Sequence, residues 1–130
     1  DCDEQLLMTF KFEAPMRVHQ LVFDGMKDSP NLPKHVRIFV NERNVIFDTV
    51  ERSLPTDTVE LKWQEHPSNP DLSRASAALP KTTYVNATHI TVFVVDNMSG
   101  GDEDVTEVCG FDIQGEPCQG QGTSSLPKKG

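Results

Sequence analysis

The residue types that most often catalyse reactions or bind metals are few in this 130-residue chain and lie far apart. Its histidines and cysteines are His19, His35, His66, His89, Cys2, Cys109 and Cys118. The sequence contains no HxH, HExxH, CxxC or Cys–His spacing, whereas zinc needs three or four converging ligands. We therefore expect no catalytic residue, no metal site and no cofactor, and a protein that is not an enzyme.

The cysteines also bear on the redox compartment. A disulfide framework uses an even number of cysteines at higher density, so reduced thiols in a cytosolic or nuclear protein are the simpler interpretation of three. Cys109 alternates with Phe111 and Ile113. This parity predicts a small core residue rather than a nucleophile, which would need a neighbouring base or positive charge to lower its pKa.

An acidic triplet, Asp102, Glu103 and Asp104, follows two glycines. Such a loop could hold calcium, but it lacks the alternating oxygen ligands of a dedicated calcium loop. A solvated hairpin tip is the commoner explanation of a charge run of this kind. Asp102, Glu103 and Asp104 are therefore candidate partner-binding residues at an exposed turn, not predicted metal ligands.

Glu51-Arg52-Ser53 is the most distinctive charged motif of the chain. Arg52 could bind a partner, because arginine is favoured at interface hot spots. It could equally lock the turn by bonding backbone carbonyls or a carboxylate, which a planar group with five donors does well. The residues alone leave both roles open, and Arg52 is the fourth candidate partner-binding residue.

The charge of the chain narrows the class of partner. Twenty acidic side chains against twelve basic ones give a net charge of −8. Affinity for nucleic acid comes largely from Lys and Arg neutralising phosphates, and no basic cluster with interleaved aromatic residues occurs here. The same charge disfavours anionic membranes, and no apolar run approaches the roughly 18 residues of a membrane span. We expect neither nucleic acid nor membrane as a partner.

Short runs of alternating apolar residues, separated by turn-forming stretches, dominate the chain. They predict strands in residues 5–12, 16–23, 35–40, 58–63, 90–95 and 105–115. The parity of the second run changes near Gln20, which predicts a β-bulge. Residues 90–95 are apolar on both faces except at Thr91, which predicts a central strand covered on both sides. One or two helical turns are predicted in residues 44–52 and again in 71–78.

This pattern predicts an all-β domain, an antiparallel β-sandwich, in residues 1–118. Residues 119–130 (QGQGTSSLPKKG) have no apolar periodicity, and they are predicted to form a flexible C-terminal tail.

Five blocks of sequence resemble the PITH domain family. Residues 1–8 (DCDEQLLM) are nearly verbatim, and the others are 34–41 (KHVRIFVN), 51–61 (ERSLPTDTVEL), 85–94 (VNATHITVFV) and 111–117 (FDIQGEP). The resemblance implies a jelly-roll-like β-sandwich related to galactose-binding domains. It also implies a cytosolic or nuclear protein that associates with the regulatory particle of the proteasome. Some members of the family join this module to an N-terminal thioredoxin domain, and others carry it alone.

The same resemblance implies a departure at the start of the domain. Family domains usually begin some tens of residues before the acidic lead-in, so a sandwich starting at residue 1 is expected to lack one or more N-terminal strands and to expose a sheet edge. The leading hypothesis is a non-catalytic protein-interaction module that associates with the proteasome regulatory particle.

A glycan- or small-ligand-binding module of the same architecture is the alternative. Two glycosylation sequons, at Asn86 and Asn97, and the implied fold motivate it. One Trp and one Tyr leave few rings for sugar stacking, and the parity of Trp63 with the run before it predicts a core position.

Overall fold

The computed structural model describes residues 5–43, 45–103 and 105–118. Strands and β-bridges account for 52% of the described residues, which contain no α-helix, so the fold is all-β. The strands are β1 (Leu6–Met26), β2 (His35–Val40), β3 (Asp57–Glu60), β4 (Gln64–Glu65), β5 (Leu72–Ala78), β6 (Ala87–Val94) and β7 (Gly110–Pro117). No helix of the described residues is long and apolar enough to cross a membrane.

The long strand β1 belongs to both layers of the fold. Its first half, from Leu6 to Lys11, pairs with β6, whereas residues 20–26 pair with β5 on one edge and residues 16–24 pair with β7 on the other. The strand order is β3-β2-β6-β1-β5-β4, with β7 added on β1. Because all pairs are antiparallel and β1 is shared, the sheet curls over itself into the predicted β-sandwich.

The inward-facing side chains of the two layers form one main core. Leu6, Met8 and Phe12 pack against it from β1, so the predicted alternation of this strand is confirmed. β6 lies between β1 and β2, and its residues 90–94 are buried, which confirms the predicted central strand. The buried core residues are Val18, Leu21, Phe23, Val36, Ile38, Leu61, Ala75, Ala77, Leu79, Tyr84, Ala87, Ile90, Val92 and Val94.

The predicted bulge in β1 is confirmed. Val18 lies opposite Gly115 of β7, but Gln20 lies opposite Gln114, so His19 is an extra residue in β1. The bulge explains the parity change, since Val18 and Leu21 both face the core although they are three residues apart.

Gly115 permits the close approach of β7 to this bulge. A Cβ atom there would overlap the backbone of Arg17 and lie 2.9 Å from the Val18 Cα atom. We expect Gly115→Ala to lower the free energy of unfolding by about 2 kcal/mol, because backbone atoms cannot rotate away as a side chain can. Gly110→Ala in the same strand is the matched control, since its Cβ would come no closer than 3.7 Å to Asp24. Equal urea midpoints for the two variants would contradict this explanation.

The predicted helical turn in residues 71–78 is wrong, because this segment is strand β5. Ser73, Ala75 and Ala77 face inward and alternate with more exposed residues, and the strand pairs with β1 along its length. Alanine is a good helix former, but cross-strand pairing overrides so weak a preference. In residues 44–52 the structure has a single 3₁₀ turn, Val50–Arg52.

The prediction that Cys109 lies in the core is also wrong, because Cys109 is exposed. β7 begins only at Gly110, so the alternation that buries Phe111 and Ile113 does not extend to the preceding residue. The backbone N–H of Cys109 instead donates to the carbonyl of Asp24, 2.7 Å away, at the point where the chain enters the strand.

An exposed sheet edge occurs in the first half of β1. Within the part of the chain that the structure describes, residues 6–11 pair with β6 and have no strand on their other edge. A groove of about 550 Å³ lies beside this half of the strand, with Leu6, Met8, Val108 and Phe111 in its wall. The exposed edge that the resemblance implies is therefore found in these residues.

Candidate functional site

The first candidate surface is the connection between β2 and β3, residues 45–56, here named the Arg52 loop. Its 3₁₀ turn is closed by the N–H groups of Arg52 and Ser53, which donate to the carbonyls of Thr49 and Val50 at 3.0 and 3.2 Å. The Ser53 hydroxyl donates to the Thr49 carbonyl at 3.0 Å. At the end of the loop, the Thr56 hydroxyl accepts from the N–H of Val40 at 3.1 Å. The loop thus has a defined conformation.

Two side chains of the Arg52 loop hold it against the outer face of the sheet. Val50 is buried in a second, smaller apolar cluster with Phe39 of β2 and Phe93 of β6. Phe47 packs edge-on against Phe93, with ring centroids 6.2 Å apart. Because these contacts fix the backbone, the remaining side chains of the loop are displayed in set positions.

Three large apolar side chains of the Arg52 loop face solvent. Leu54 is 89% exposed, Ile46 is 53% exposed and Phe47 is 47% exposed. Isolated apolar residues on a surface are ordinary, but three within nine residues of one anchored loop concentrate exposed apolar surface, as interaction sites do. The sequence analysis did not identify them, although Ile46 and Phe47 are apolar residues between two predicted strands and Leu54 precedes a proline.

Arg52 belongs to the same loop and is exposed. No hydrogen bond or ion pair joins its guanidinium to any residue that the structure describes. Thr49, Val50 and Ser53 supply the bonds that close the turn. Among the described residues, the turn is therefore closed without the Arg52 side chain, and Arg52 stays a candidate partner-binding residue.

The second candidate surface is the acidic loop, residues 97–103, and the buried side chain of Asn97 organises it. The Asn97 amide nitrogen donates to the carbonyls of Glu103 and Val105 at 3.1 and 3.3 Å. Its oxygen accepts from the N–H and the hydroxyl of Ser99, and the Ser99 oxygen accepts in turn from the N–H groups of Gly101 and Glu103. These bonds fold the tip of the loop.

Asp102 and Glu103 are exposed on this tip, and Asp104 lies outside the described residues. No group of three or more metal-ligating side chains converges anywhere among the residues that the structure describes. In its described part, the acidic loop is a negatively charged, exposed turn whose backbone is held by the hydrogen bonds of the Asn97 side chain.

The two candidate surfaces lie at opposite ends of one sheet. β2 and β6 are antiparallel, with Val40 opposite Ile90 and Val36 opposite Val94. The Arg52 loop leaves the sheet after Val40, whereas the acidic loop follows Val94 at the other end. Among the predicted partner-binding residues that the structure describes, Arg52 is therefore separated from Asp102 and Glu103 by the length of the sheet.

Comparison with known families gives one match over nearly the whole chain. A family model described as the PITH domain matches residues 1–128. The chain belongs to the PITH domain family. PITH domains are non-catalytic interaction domains, so exposed side chains, rather than a catalytic cleft, are where the function of this PITH domain is to be sought.

His66 of this PITH domain has a structural role in a turn. Its Nδ1 accepts from the N–H groups of Ser68 and Asn69, both at 3.0 Å. Asp24 lies between His66 and Arg74 and accepts two hydrogen bonds from the guanidinium, at 2.8 and 3.1 Å. These contacts fix the turn between β4 and β5.

Arg74 holds the pKa of Asp24 below its ordinary value of 3.8, mainly through the hydrogen bonds to the carboxylate, and burial opposes the shift only in part. Since the folded-state pKa is lowered, the carboxylate stabilises the fold above pH 3.8 and loses this effect as pH falls through the folded-state value. We expect the stability difference between wild type and Asp24→Asn, measured by urea unfolding, to be largest near pH 7 and to shrink below pH 3.8. A constant difference from pH 7 to pH 2 would contradict it.

The structure describes both sequon asparagines and the single tryptophan, the residues that bear on a glycan-binding module. The Asn97 side chain is 1% exposed and fully hydrogen-bonded, so it is inaccessible to modification in the folded domain. Trp63 is half-buried, packs against the main core and donates its indole N–H to the Pro33 carbonyl at 2.8 Å. Asn86 is exposed.

Proposed function

We propose that this PITH domain is a docking module that associates with the regulatory particle of the proteasome, in the cytosol or the nucleus, and catalyses no reaction. Membership of the family supports an interaction role, and the Arg52 loop supplies a surface suited to it.

The observation that carries the proposal is the exposure of Ile46, Phe47 and Leu54 beside Arg52 on an anchored loop. Aromatic side chains and arginine are enriched at protein interfaces, and exposed apolar side chains gain free energy when an interface buries them. An anchored loop loses little conformational entropy on binding, so more of the contact energy appears as affinity. The acidic loop at the other end of the sheet is a second contact of the same proposal, with a basic surface as its complement.

Purified regulatory particles immobilised on a biosensor test the proposal directly. Soluble PITH domain is expected to bind in a saturable manner, whereas an unrelated β-sandwich of similar size and net charge is expected not to bind. Binding of the two proteins to the same extent would reject the proposal, because a nonspecific charge effect would then suffice.

A further inference from the structure

We propose that this PITH domain binds a phosphate group in a pocket on the outer face of its sheet, formed by Thr9, Lys11, Arg43 and Thr91. The pocket has a volume of about 410 Å³ and is open to solvent at the end of the sheet where the Arg52 loop lies. The proposal goes beyond proteasome docking, since it concerns a small anionic group.

Strand register brings the polar residues together. Thr9 lies directly opposite Thr91, and Lys11 lies directly opposite His89, in the pairing of β1 with β6. Successive odd-numbered residues of a strand share a face, so these two cross-strand pairs are neighbours on the outer face. Arg43 approaches from the segment that follows β2.

The wall beneath Arg43 is fixed by hydrogen bonds. His89 Nε2 lies 2.8 Å from the Glu42 carbonyl and donates to it. Asn41, at a left-handed φ of 57°, accepts through its side-chain oxygen from the N–H and the hydroxyl of Thr88 at 2.7 and 2.9 Å. The backbone that carries Arg43 therefore has a defined path beside β6, so the pocket exists before a ligand arrives.

The free donors match an oxyanion with several oxygens. The hydroxyls of Thr9 and Thr91 are 3.1 Å apart; Thr91 is buried and Thr9 is exposed, so when Thr91 donates to Thr9 the Thr9 hydroxyl keeps its own proton for a ligand. Lys11 offers three N–H donors and Arg43 offers five. A phosphate, with three or more acceptor oxygens, uses this set more fully than a carboxylate with two.

Charge also favours an anion here. In a chain of net charge −8, Lys11 and Arg43 line one pocket, and neither forms an ion pair with a described residue. Glu42 belongs to the same lining, but its carbonyl is bound by His89 and its side chain is exposed. Its carboxylate opposes an anion, so Glu42→Gln is expected to tighten binding.

The phosphate could be free or carried by a phosphorylated side chain, and one titration series separates these sources. Isotope-labelled domain is titrated with inorganic phosphate, with a phosphoserine pentapeptide and with its unphosphorylated twin, at ionic strength held constant by sodium chloride. We expect saturable amide shifts confined to Thr9, Lys11, His89 and Thr91, with a dissociation constant on the order of 1 mM for phosphate. Tighter binding of the phosphopeptide identifies a phosphorylated side chain as the ligand, and equal binding identifies free phosphate.

Variants of single charges decide whether the pocket is the site. Lys11→Gln and Arg43→Gln are each expected to weaken phosphate binding by at least about tenfold, because each removes a charge-assisted contact. Lys27→Gln is the charge-matched control, since Lys27 is exposed at the far end of β1. Absence of saturable binding, or equal weakening in all three variants, would overturn the proposal. The proteasome is not involved, so either result leaves the docking proposal to its own test.

Discussion

Tyr84→Ala is expected to lower the free energy of unfolding by about 4 kcal/mol, the largest effect of any substitution considered for this domain. Tyr84 is fully buried and has the largest side chain among the fully buried residues. Its ring lies in the main core, and its carbonyl accepts from the N–H of Val18 beside the bulge of β1 at 2.9 Å. Loss of the ring leaves a cavity beside the bulge, and urea unfolding measures the cost.

Tyr84→Phe separates the ring from the hydroxyl. The hydroxyl donates to Asp57 at 2.7 Å, and burial together with this carboxylate raises the pKa of Tyr84 far above its ordinary value, so the group stays protonated. The Phe variant is expected to lose about 1 kcal/mol, the usual net worth of one hydrogen bond. If the Ala variant were no less stable than the Phe variant, the ring would not be part of the core.

Asn97→Asp is expected to lower the free energy of unfolding by about 3 kcal/mol at pH 7, since a buried carboxylate would replace an amide donor. The amide nitrogen of Asn97 faces the carbonyls of Glu103 and Val105, and a carboxylate oxygen in its place would meet them as acceptor against acceptor. Urea unfolding at pH 7 gives the size of the loss, and amide exchange of residues 99–103 reports opening of the acidic loop.

The pH dependence of this loss has a definite sign. Burial and the facing carbonyls raise the folded-state pKa of the introduced carboxyl, so its protonated form is the one that the fold tolerates. The deficit relative to wild type should therefore shrink as pH falls from 7 to 4. Asn86→Asp is the control, because Asn86 is exposed and the same chemical change there is expected to cost less than about 0.5 kcal/mol. Equal losses in the two variants would show that the Asn97 bonds do not organise the loop.

Most strands of the sheet could be predicted from the sequence, because apolar and polar residues alternate along a strand that buries one face. β2 was predicted with the observed bounds, and the parity change near Gln20 indicated the bulge. β5 was missed because its inward residues are Ser73, Ala75 and Ala77, whose small side chains give no hydrophobic alternation. The joining of two predicted runs into one long β1 was missed because Pro15 lacks a backbone donor and suggests an interruption.

The candidate surfaces were predicted less completely, because exposure depends on the whole fold. Arg52 was identified from its motif, but the apolar residues beside it became recognisable only when Val50 was found to anchor the loop and leave Leu54 in solvent. The position of the acidic loop at the far end of the sheet follows from the register of β2 with β6, which the sequence pattern does not give. The pairing of Lys11 with His89 could not be predicted either, because these residues are far apart in sequence and become neighbours only through the register of β1 with β6.

The affinity of a double variant, Arg52→Ala with Leu54→Ser, for purified proteasome regulatory particles tests the central claim most directly. The domain bearing both changes is expected to bind at least about tenfold more weakly than wild type, since hot-spot residues supply most of the affinity of an interface. Lys27→Ala with Met26→Ser is the matched control, because it removes one exposed cation and one exposed apolar side chain outside both candidate surfaces, and it is expected to bind as wild type does. Wild-type affinity of the double variant would contradict docking through the Arg52 loop, and failure of wild type to bind would contradict docking altogether.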